Sequence, residues 1–201
     1  MVYERSLFHI QTNGIKRIFI MYEKVICILR HKNINLTSGL TQEEFSKIEE
    51  LYHFRFPLPL QLFLKEVLPI EKGFYNWRDF SPGNISRITN AIESPKRFLH
   101  QIINEIDWCD DWGKEPKNLE NKAKLIKNKI ITAPDLIPIF AHRYMPVCAL
   151  QNPPVISVHG ADVIYYGENL ENYLEIEFGD KKQASINFES IEYIPFWTDL
   201  M

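Results

Sequence analysis

Apolar residues in the first half of the chain recur every three or four positions, the spacing that places them on one face of a helix. This pattern predicts a helix over about residues 15–30. It predicts a second helix over about residues 42–52, which begins with the capping-box sequence Thr41-Gln-Glu-Glu44. The buried side of the second helix is expected to carry Phe45, Ile48 and Leu51.

Prolines mark the beginnings of the next helices, because proline suits a first helical turn and disrupts later ones. Pro57 and Pro59 precede a predicted helix over about residues 60–68. Ser94-Pro95 is expected to open a further helix that carries apolar side chains as far as Ile106. A helix over about residues 118–130 should follow, with an inner face made of Leu119, Ala123, Ile126 and Ile130.

The second half of the chain changes to short runs rich in β-branched and aromatic residues, separated by glycine and proline turns. These runs predict strands over residues 136–140, 155–158 and 162–166. Asn169 is expected to cap a late helix. The predicted fold class is therefore α+β, with N-terminal helices and a late C-terminal helix packed on one face of a small, mostly antiparallel central sheet.

Composition and charge narrow the function classes. The chain has 201 residues, of which 45% are hydrophobic and 24% charged, so one globular domain is expected. We assign residues 18–201 to this domain and residues 1–17 to an N-terminal extension, with Met21 as an alternative start. The net charge of −3 gives no attraction to a phosphate backbone, which disfavours a nucleic-acid partner. No apolar run reaches the roughly 20 residues of a membrane span, so no membrane partner is expected.

Three cysteines, Cys27, Cys109 and Cys148, are widely spaced and odd in number. This usage is typical of a reduced compartment, so a cytoplasmic location is expected. A nucleophile pair such as Cys148 with His159 would need a setting that stabilises a thiolate, which the sequence does not indicate.

Residues 73–83 combine glycine, asparagine and proline with aromatic residues, which indicates an ordered loop or a short strand. Trp77 and Arg78 are residue types that often dominate binding interfaces, so this segment is a candidate recognition loop. The alternative is that Trp77 anchors the core while Arg78 and Asp79 clamp the loop from within. Since large aromatic side chains usually bury most of their area, we expect both Trp77 and Trp197 to be buried.

A second candidate follows the fourth predicted helix, where two tryptophans alternate with carboxylates in Asp107-Trp108-Cys109-Asp110-Asp111-Trp112, and Glu115 comes next. An acidic patch of this kind could attract a basic protein and then bury the two tryptophan rings against that protein. Equally, the segment could be a solvated loop whose tryptophans pack inward. The late helix is also acidic, from Glu168 to Asp180, and could serve a partner or simply solubility.

Histidines provide the remaining candidate chemistry. His142, His159 and Asp162 could form a metal or acid–base site, since imidazole and carboxylate suit both tasks. Their spacing matches no zinc template, and no nucleophile elbow, phosphate-binding loop or dinucleotide fingerprint is present. The sequence therefore predicts a non-catalytic protein with no cofactor and no metal site.

An ordered series of motifs along about residues 18–200 resembles the SUKH superfamily, which joins fungal cell-wall-synthesis regulators to bacterial toxin-immunity proteins. The series consists of Leu40-Thr-x-x-Glu44, Phe56-Pro57-Leu-Pro59, Phe74-Tyr-Asn-Trp-Arg-Asp-Phe80, Leu136-Ile-Pro-Ile139, His142-Arg-Tyr144, Val155-x-Ser-Val-His159, Asp162-Val-Ile-Tyr-Tyr-Gly167 and Ile194-Pro-Phe-Trp197. The resemblance implies helices at the N-terminus, a mostly antiparallel sheet and a late helix. It implies a binding role rather than catalysis.

We therefore expect a cytoplasmic immunity protein that binds and neutralises a cognate toxin domain, possibly a nuclease, encoded next to it. The alternatives are a regulatory scaffold of the cell-wall regulator type and, from another class, a small hydrolase or metalloenzyme using His142, His159 and Asp162. The sequence leaves the oligomeric state open. Candidate partner-binding residues are Asp107, Asp110, Asp111, Trp112, Glu115, Arg78, His142, Arg143 and Tyr144.

Overall fold

The computed structural model describes residues 22–201. The N-terminal extension, the alternative start at Met21 and the first part of the helix predicted over residues 15–30 lie outside the described residues. The rest of that helix is α1, Glu23–His31. The predicted α+β class is confirmed, because helices combine with two antiparallel sheets of two and four strands.

The N-terminal part consists of α1, β1 (Leu36–Ser38), α2 (Gln42–Tyr52), α3 (Leu58–Glu66) and β2 (Val67–Pro69). The capping box of α2 is confirmed: the Glu44 amide donates to Thr41 Oγ1 over 3.2 Å, and the Thr41 amide donates to Glu44 Oε2 over 2.8 Å. On the buried side of α2, Phe45 and Ile48 are buried as expected, whereas Leu51 is exposed.

The helix predicted over residues 60–68 ends earlier, because Val67 and Leu68 leave it to form β2. Leu68 precedes a proline, which disfavours helical backbone at that position. Strand β2 pairs antiparallel with β1 instead, with Thr37 opposite Leu68.

The next helix, α4, runs over Pro82–Gln101 and corrects the predicted start at Ser94-Pro95. Ser81-Pro82 carries the same cap-and-proline signal, and the Asn84 amide donates to Ser81 Oγ over 3.4 Å. Pro95 lies inside the helix, where its missing amide leaves the carbonyl of Ala91 open. The hydroxyl of Ser94 donates to that carbonyl over 3.3 Å, so the helix continues through the proline.

After α4, a 3₁₀ turn at Asp110–Trp112 leads to α5, Leu119–Thr132. Ile126 and Ile130 of α5 are fully buried as predicted, whereas Leu119 is exposed, which corrects its predicted place on the inner face.

The central sheet contains β3 (Leu136–Phe140), β4 (Arg143–Pro146), β5 (Val155–His159) and β6 (Asp162–Gly167), in that spatial order and with every pair antiparallel. The sequence prediction missed β4 and assigned part of it to a loop. Helix α6, Leu170–Phe178, follows the sheet and is capped by Asn169 as predicted, with the Asn172 amide donating to Asn169 Oδ1. Three short 3₁₀ turns, Gln183–Ser185, Phe188–Ser190 and Thr198–Leu200, complete the chain.

Both faces of the sheet are covered, which corrects the prediction that helices pack on one face only. Neighbouring strand residues point to opposite faces. Ile137 and Met145 belong to a first core with α1, α2, α3 and α6, while Leu136 and Ile156 belong to a second core with α5 and the C-terminal segment. Coverage on both faces explains why β3 and β5 read as continuous apolar runs.

Helix α4 contributes to both cores and contacts β3, an edge strand of the sheet. The two predicted anchors are confirmed as buried: Trp77 lies in the first core and Trp197 in the second. No helix within residues 22–201 combines the length and apolar character needed to cross a membrane.

Candidate protein-binding surface

The acidic segment lies between α4 and α5, and we refer to residues 107–115 as the acidic loop. Its carboxylates are exposed, as predicted: Asp107, Asp110, Asp111 and Glu115 all face solvent. Of these four, Glu115 accepts a hydrogen bond from Lys122 of α5 over 2.6 Å. Within residues 22–201 the other three carboxylates form no ion pair, so their charge is available to a partner.

The two tryptophans of the acidic loop pack inward and hold its shape. Trp108 Nε1 donates to the carbonyl of Gly113 over 2.8 Å, which closes the loop on itself. The two indoles meet edge to face, with ring centroids 5.4 Å apart. Trp112 also stacks on Phe196 at an interplanar angle of 13°. Trp112 therefore anchors the loop from within, as the inward-packing alternative expects, and its part in a partner contact stays a prediction.

Asp199 ties the acidic loop to the C-terminal segment. Its Oδ2 accepts a hydrogen bond from Trp112 Nε1 over 2.6 Å, and its Oδ1 accepts one from the hydroxyl of Tyr193 over 2.5 Å. The hydrogen bond to Asp199 raises the pKa of Tyr193 to about 12. From the other side, Lys129 of α5 lies 4.9 Å from the centre of the Trp112 ring. The loop is thus fixed at several points before any partner binds.

The guanidinium of Arg78 is bound within the protein, while 32% of its side-chain surface stays exposed. Its Nε and one terminal nitrogen donate to the two carboxylate oxygens of Glu44 over 2.5 and 3.0 Å, and it also donates to the carbonyl of Gly39 over 2.9 Å. The hydrogen bonds from Arg78 lower the pKa of Glu44. The internal-clamp interpretation fits this geometry, with Glu44 rather than Asp79 as the partner of Arg78.

Arg143 and Tyr144 are also directed inward, which corrects their predicted place on a binding surface. Arg143 Nε lies 3.3 Å from Glu177 Oε2 of α6, and the guanidinium stacks over the ring of Tyr166 at 3.7 Å. Tyr144 is only 4% exposed, and burial raises the pKa of its hydroxyl. Arg143 therefore links β4 to α6, and Tyr144 packs in the second core, where it also lines a pocket beside His142.

His142 remains exposed and lies next to His159, with ring centroids 5.4 Å apart. The two rings line a pocket of about 580 Å³ whose other walls include Phe98 and Tyr144. Burial, together with the nearby charges of Arg143 and His159, lowers the pKa of His142.

The three-ligand site proposed from His142, His159 and Asp162 is not assembled. Within residues 22–201, no three side chains of the histidine, cysteine, aspartate or glutamate type are placed to hold a metal ion together. Cys148 follows β4 at the opposite end of the sheet from His159, so these two residues do not form a nucleophile pair. Burial raises the pKa of the Cys148 thiol, which opposes thiolate formation.

The carboxylates of α6 are mostly engaged within the protein. Glu175 pairs with Lys24 and Lys181, and Glu177 pairs with Arg143. Glu168, which precedes α6, accepts a hydrogen bond from the amide of Asn187 over 2.9 Å. The acidic loop therefore offers more unpaired charge than the late helix does.

Sequence reasoning identified the acidic loop but missed the residues that hold it. Phe196 was part of an apolar C-terminal run, and Asp199 and Lys129 gave no signal of their own. Their contacts with Trp112 cross large separations in the chain, which neither periodicity nor spacing reveals.

No family model, no curated protein and no solved structure matches this chain. The resemblance to the SUKH superfamily consequently stays a prediction from the ordered motifs of the sequence.

Proposed function

We propose that this protein is a non-catalytic binding module, an immunity protein that neutralises a basic toxin domain by covering it. One observation carries the proposal: the carboxylates of Asp107, Asp110 and Asp111 are exposed and have no ion-pair partner among the described residues, on a loop that two inward-packed tryptophans hold in place. The SUKH resemblance supports the same role. The toxin would be encoded beside this protein and would bind it in the cytoplasm. Three free cysteines fit that compartment, because thiols stay reduced there.

Charge favours a cationic partner. Clustered unpaired carboxylates create a negative potential that steers a positively charged protein toward the surface and raises the association rate. Nucleases must carry positive charge to bind a phosphate backbone, so the acidic loop suits that class of toxin. In the bound state the carboxylates would occupy positions that phosphates otherwise take.

Rigidity favours tight binding. Ordering a flexible loop on association costs free energy for each side chain that is immobilised. The acidic loop has already lost much of this freedom, because Trp108 bonds to Gly113 and Trp112 bonds to Asp199. Less of the free energy gained from charge attraction is then offset by ordering the loop, so the complex is tighter than one formed by a flexible acidic loop.

The test uses the toxin domain from the neighbouring gene. That domain should form a stable complex with this protein and lose its activity in proportion to the complex formed. The variant Asp110→Lys/Asp111→Lys should protect much less. A matched control, Glu50→Lys/Glu71→Lys, changes net charge equally at exposed positions outside the acidic loop and should protect as the native protein does.

Two results would contradict the proposal. If the native protein leaves the neighbouring toxin fully active and forms no complex with it, the immunity role is wrong. If both charge-reversed variants lose protection equally, the interaction depends on net charge and not on the acidic loop.

A further inference from the structure

Two hairpin turns bring His142 and His159 together at one end of the central sheet. His142 lies in the two-residue turn between β3 and β4, and His159 ends β5 just before the tight turn at Gly160. Strands β4 and β5 are antiparallel, with Arg143 opposite Ser157, so the start of β4 and the end of β5 lie side by side. The amide of Val158 donates to the carbonyl of His142 over 3.0 Å and fixes this alignment.

The separation of the two imidazoles matches that of two rings bound to one metal ion. Zinc binds imidazole nitrogen at about 2.0–2.1 Å, which puts the metal about 3.2 Å from each ring centre and two coordinated ring centres about 5.2 Å apart at a tetrahedral angle. The ring centroids of His142 and His159 are 5.4 Å apart. Both side chains are exposed, so each ring is free to rotate and direct one nitrogen at a shared ion.

We propose that His142 and His159 form an exchangeable binding site for a divalent transition-metal ion, whose tetrahedral Zn(II) geometry fits the observed ring separation and whose occupancy Cu(II) can report. Imidazole suits both ions, and nitrogen ligands favour Cu(II) over Zn(II).

The charges around the pair permit a cation to approach. The guanidinium of Arg143, whose charge acts on His142, is paired with Glu177, which offsets part of that positive charge. Asp162 lies directly across from His159 in the pairing of β5 with β6, and its exposed carboxylate adds negative charge beside the pair. Phe98 packs against the turn at Gly160 and forms the pocket wall next to the pair.

The site is open, which sets its affinity and distinguishes it from the three-ligand site considered from the sequence. The described part of the chain supplies no third ligand of the usual types, so water completes the coordination and the ion exchanges readily. The spacing of the two histidines matches no zinc template, because antiparallel strand pairing, and not a local motif, brings them together. No catalytic step is assigned to the ion.

The test titrates tag-free protein, first stripped of metal by chelator dialysis, with Cu(II) in the presence of a competing amino-acid chelator. Calorimetry measures the affinity, and electron paramagnetic resonance counts the nitrogen ligands. His142→Gln and His159→Gln should each weaken Cu(II) binding at least about tenfold, since even the loss of an outer-shell partner of a metal ligand costs that much. His31→Gln and His100→Gln, at exposed histidines on α1 and α4, serve as matched controls and should leave the affinity unchanged.

On the native protein, bound Cu(II) should broaden the nuclear magnetic resonances of the His142 and His159 rings before those of other histidines. This measurement needs no variant to fold. Equal affinities for native protein and both His142 and His159 variants, or broadening that begins at another histidine, would overturn the proposal. Because no toxin enters the experiment, its outcome is independent of the immunity role.

Discussion

Trp197 is the side chain whose removal tests the packing of the second core most severely. It has 0% exposure, it packs edge to face on Phe196, and its Nε1 donates to the carbonyl of Pro134 over 2.9 Å. Trp197→Ala removes the ring and leaves a cavity, which costs about 3–5 kcal/mol at such sites. It also leaves the carbonyl of Pro134 without its donor, which places the expected loss toward the upper end of that range.

Trp197→Phe separates the two contributions. Phenylalanine retains much of the ring volume but has no N–H, so the expected loss falls to about 1–3 kcal/mol, the cost of an unsatisfied buried acceptor together with a small volume defect. As a matched comparison, Trp108→Ala removes a half-exposed indole with its own carbonyl partner at Gly113, and it should cost less than Trp197→Ala.

Urea unfolding followed by circular dichroism measures all three variants. Domains of this kind have total stabilities of about 5–15 kcal/mol, so Trp197→Ala should lower the urea midpoint strongly. Trp197→Phe provides the folded reference for the measurement. A loss below about 1 kcal/mol for Trp197→Ala would refute the assigned packing, because a fully buried tryptophan cannot be removed so cheaply.

Two further predictions concern the close approach of Gly39 to α3 and the ion pair between Arg78 and Glu44 of α2. Gly39→Ala should destabilise the protein by several kcal/mol, because the new Cβ would lie 1.9 Å from the backbone oxygen of Lys65. Gly83→Ala is the control: it lies in α4 with open space around it and should be neutral or stabilising. Thermal unfolding of the two variants measures the difference. Arg78→Ala should cost about 1 kcal/mol at neutral pH. Arg78 lowers the folded-state pKa of Glu44, so the ion pair stabilises the protein above the ordinary pKa of glutamate and ceases to do so as pH falls through the lowered value. The urea midpoints of native and variant protein should therefore converge in acid. A constant difference between them would contradict the assignment.

Local signals predicted much of the fold. The capping box at Thr41 and the cap at Asn169 give correct helix starts, because each depends on contacts within one turn. The helix start at Ser94-Pro95 was wrong because an equally good signal at Ser81-Pro82 acts earlier, and the Ser94 hydroxyl lets the helix pass the second proline. The sequence alone does not show which of two identical signals is used.

Tertiary pairing decided what local signals could not. Val67 and Leu68 fit the apolar period of α3, yet they pair with β1, a strand that lies much earlier in the chain. The inward direction of Arg143 depends on Glu177, and that of Arg78 depends on Glu44. In each case a long-range ion pair decides whether a charged side chain faces solvent. The exposed carboxylates of the acidic loop were predictable, because charge without a nearby partner in the chain usually stays in water.

The association rate between this protein and the neighbouring toxin domain tests the central claim most directly. The rate is measured at low and at physiological ionic strength for the native protein, the loop variant Asp110→Lys/Asp111→Lys and the control Glu50→Lys/Glu71→Lys. The screening length falls from about 30 Å at 0.01 M to about 8 Å at 0.15 M salt. Native and control protein should associate at least about tenfold faster at low salt, while the loop variant should be slower and much less sensitive to salt. Equal and salt-insensitive rates for all three proteins would contradict the account and remove the acidic loop from the interface.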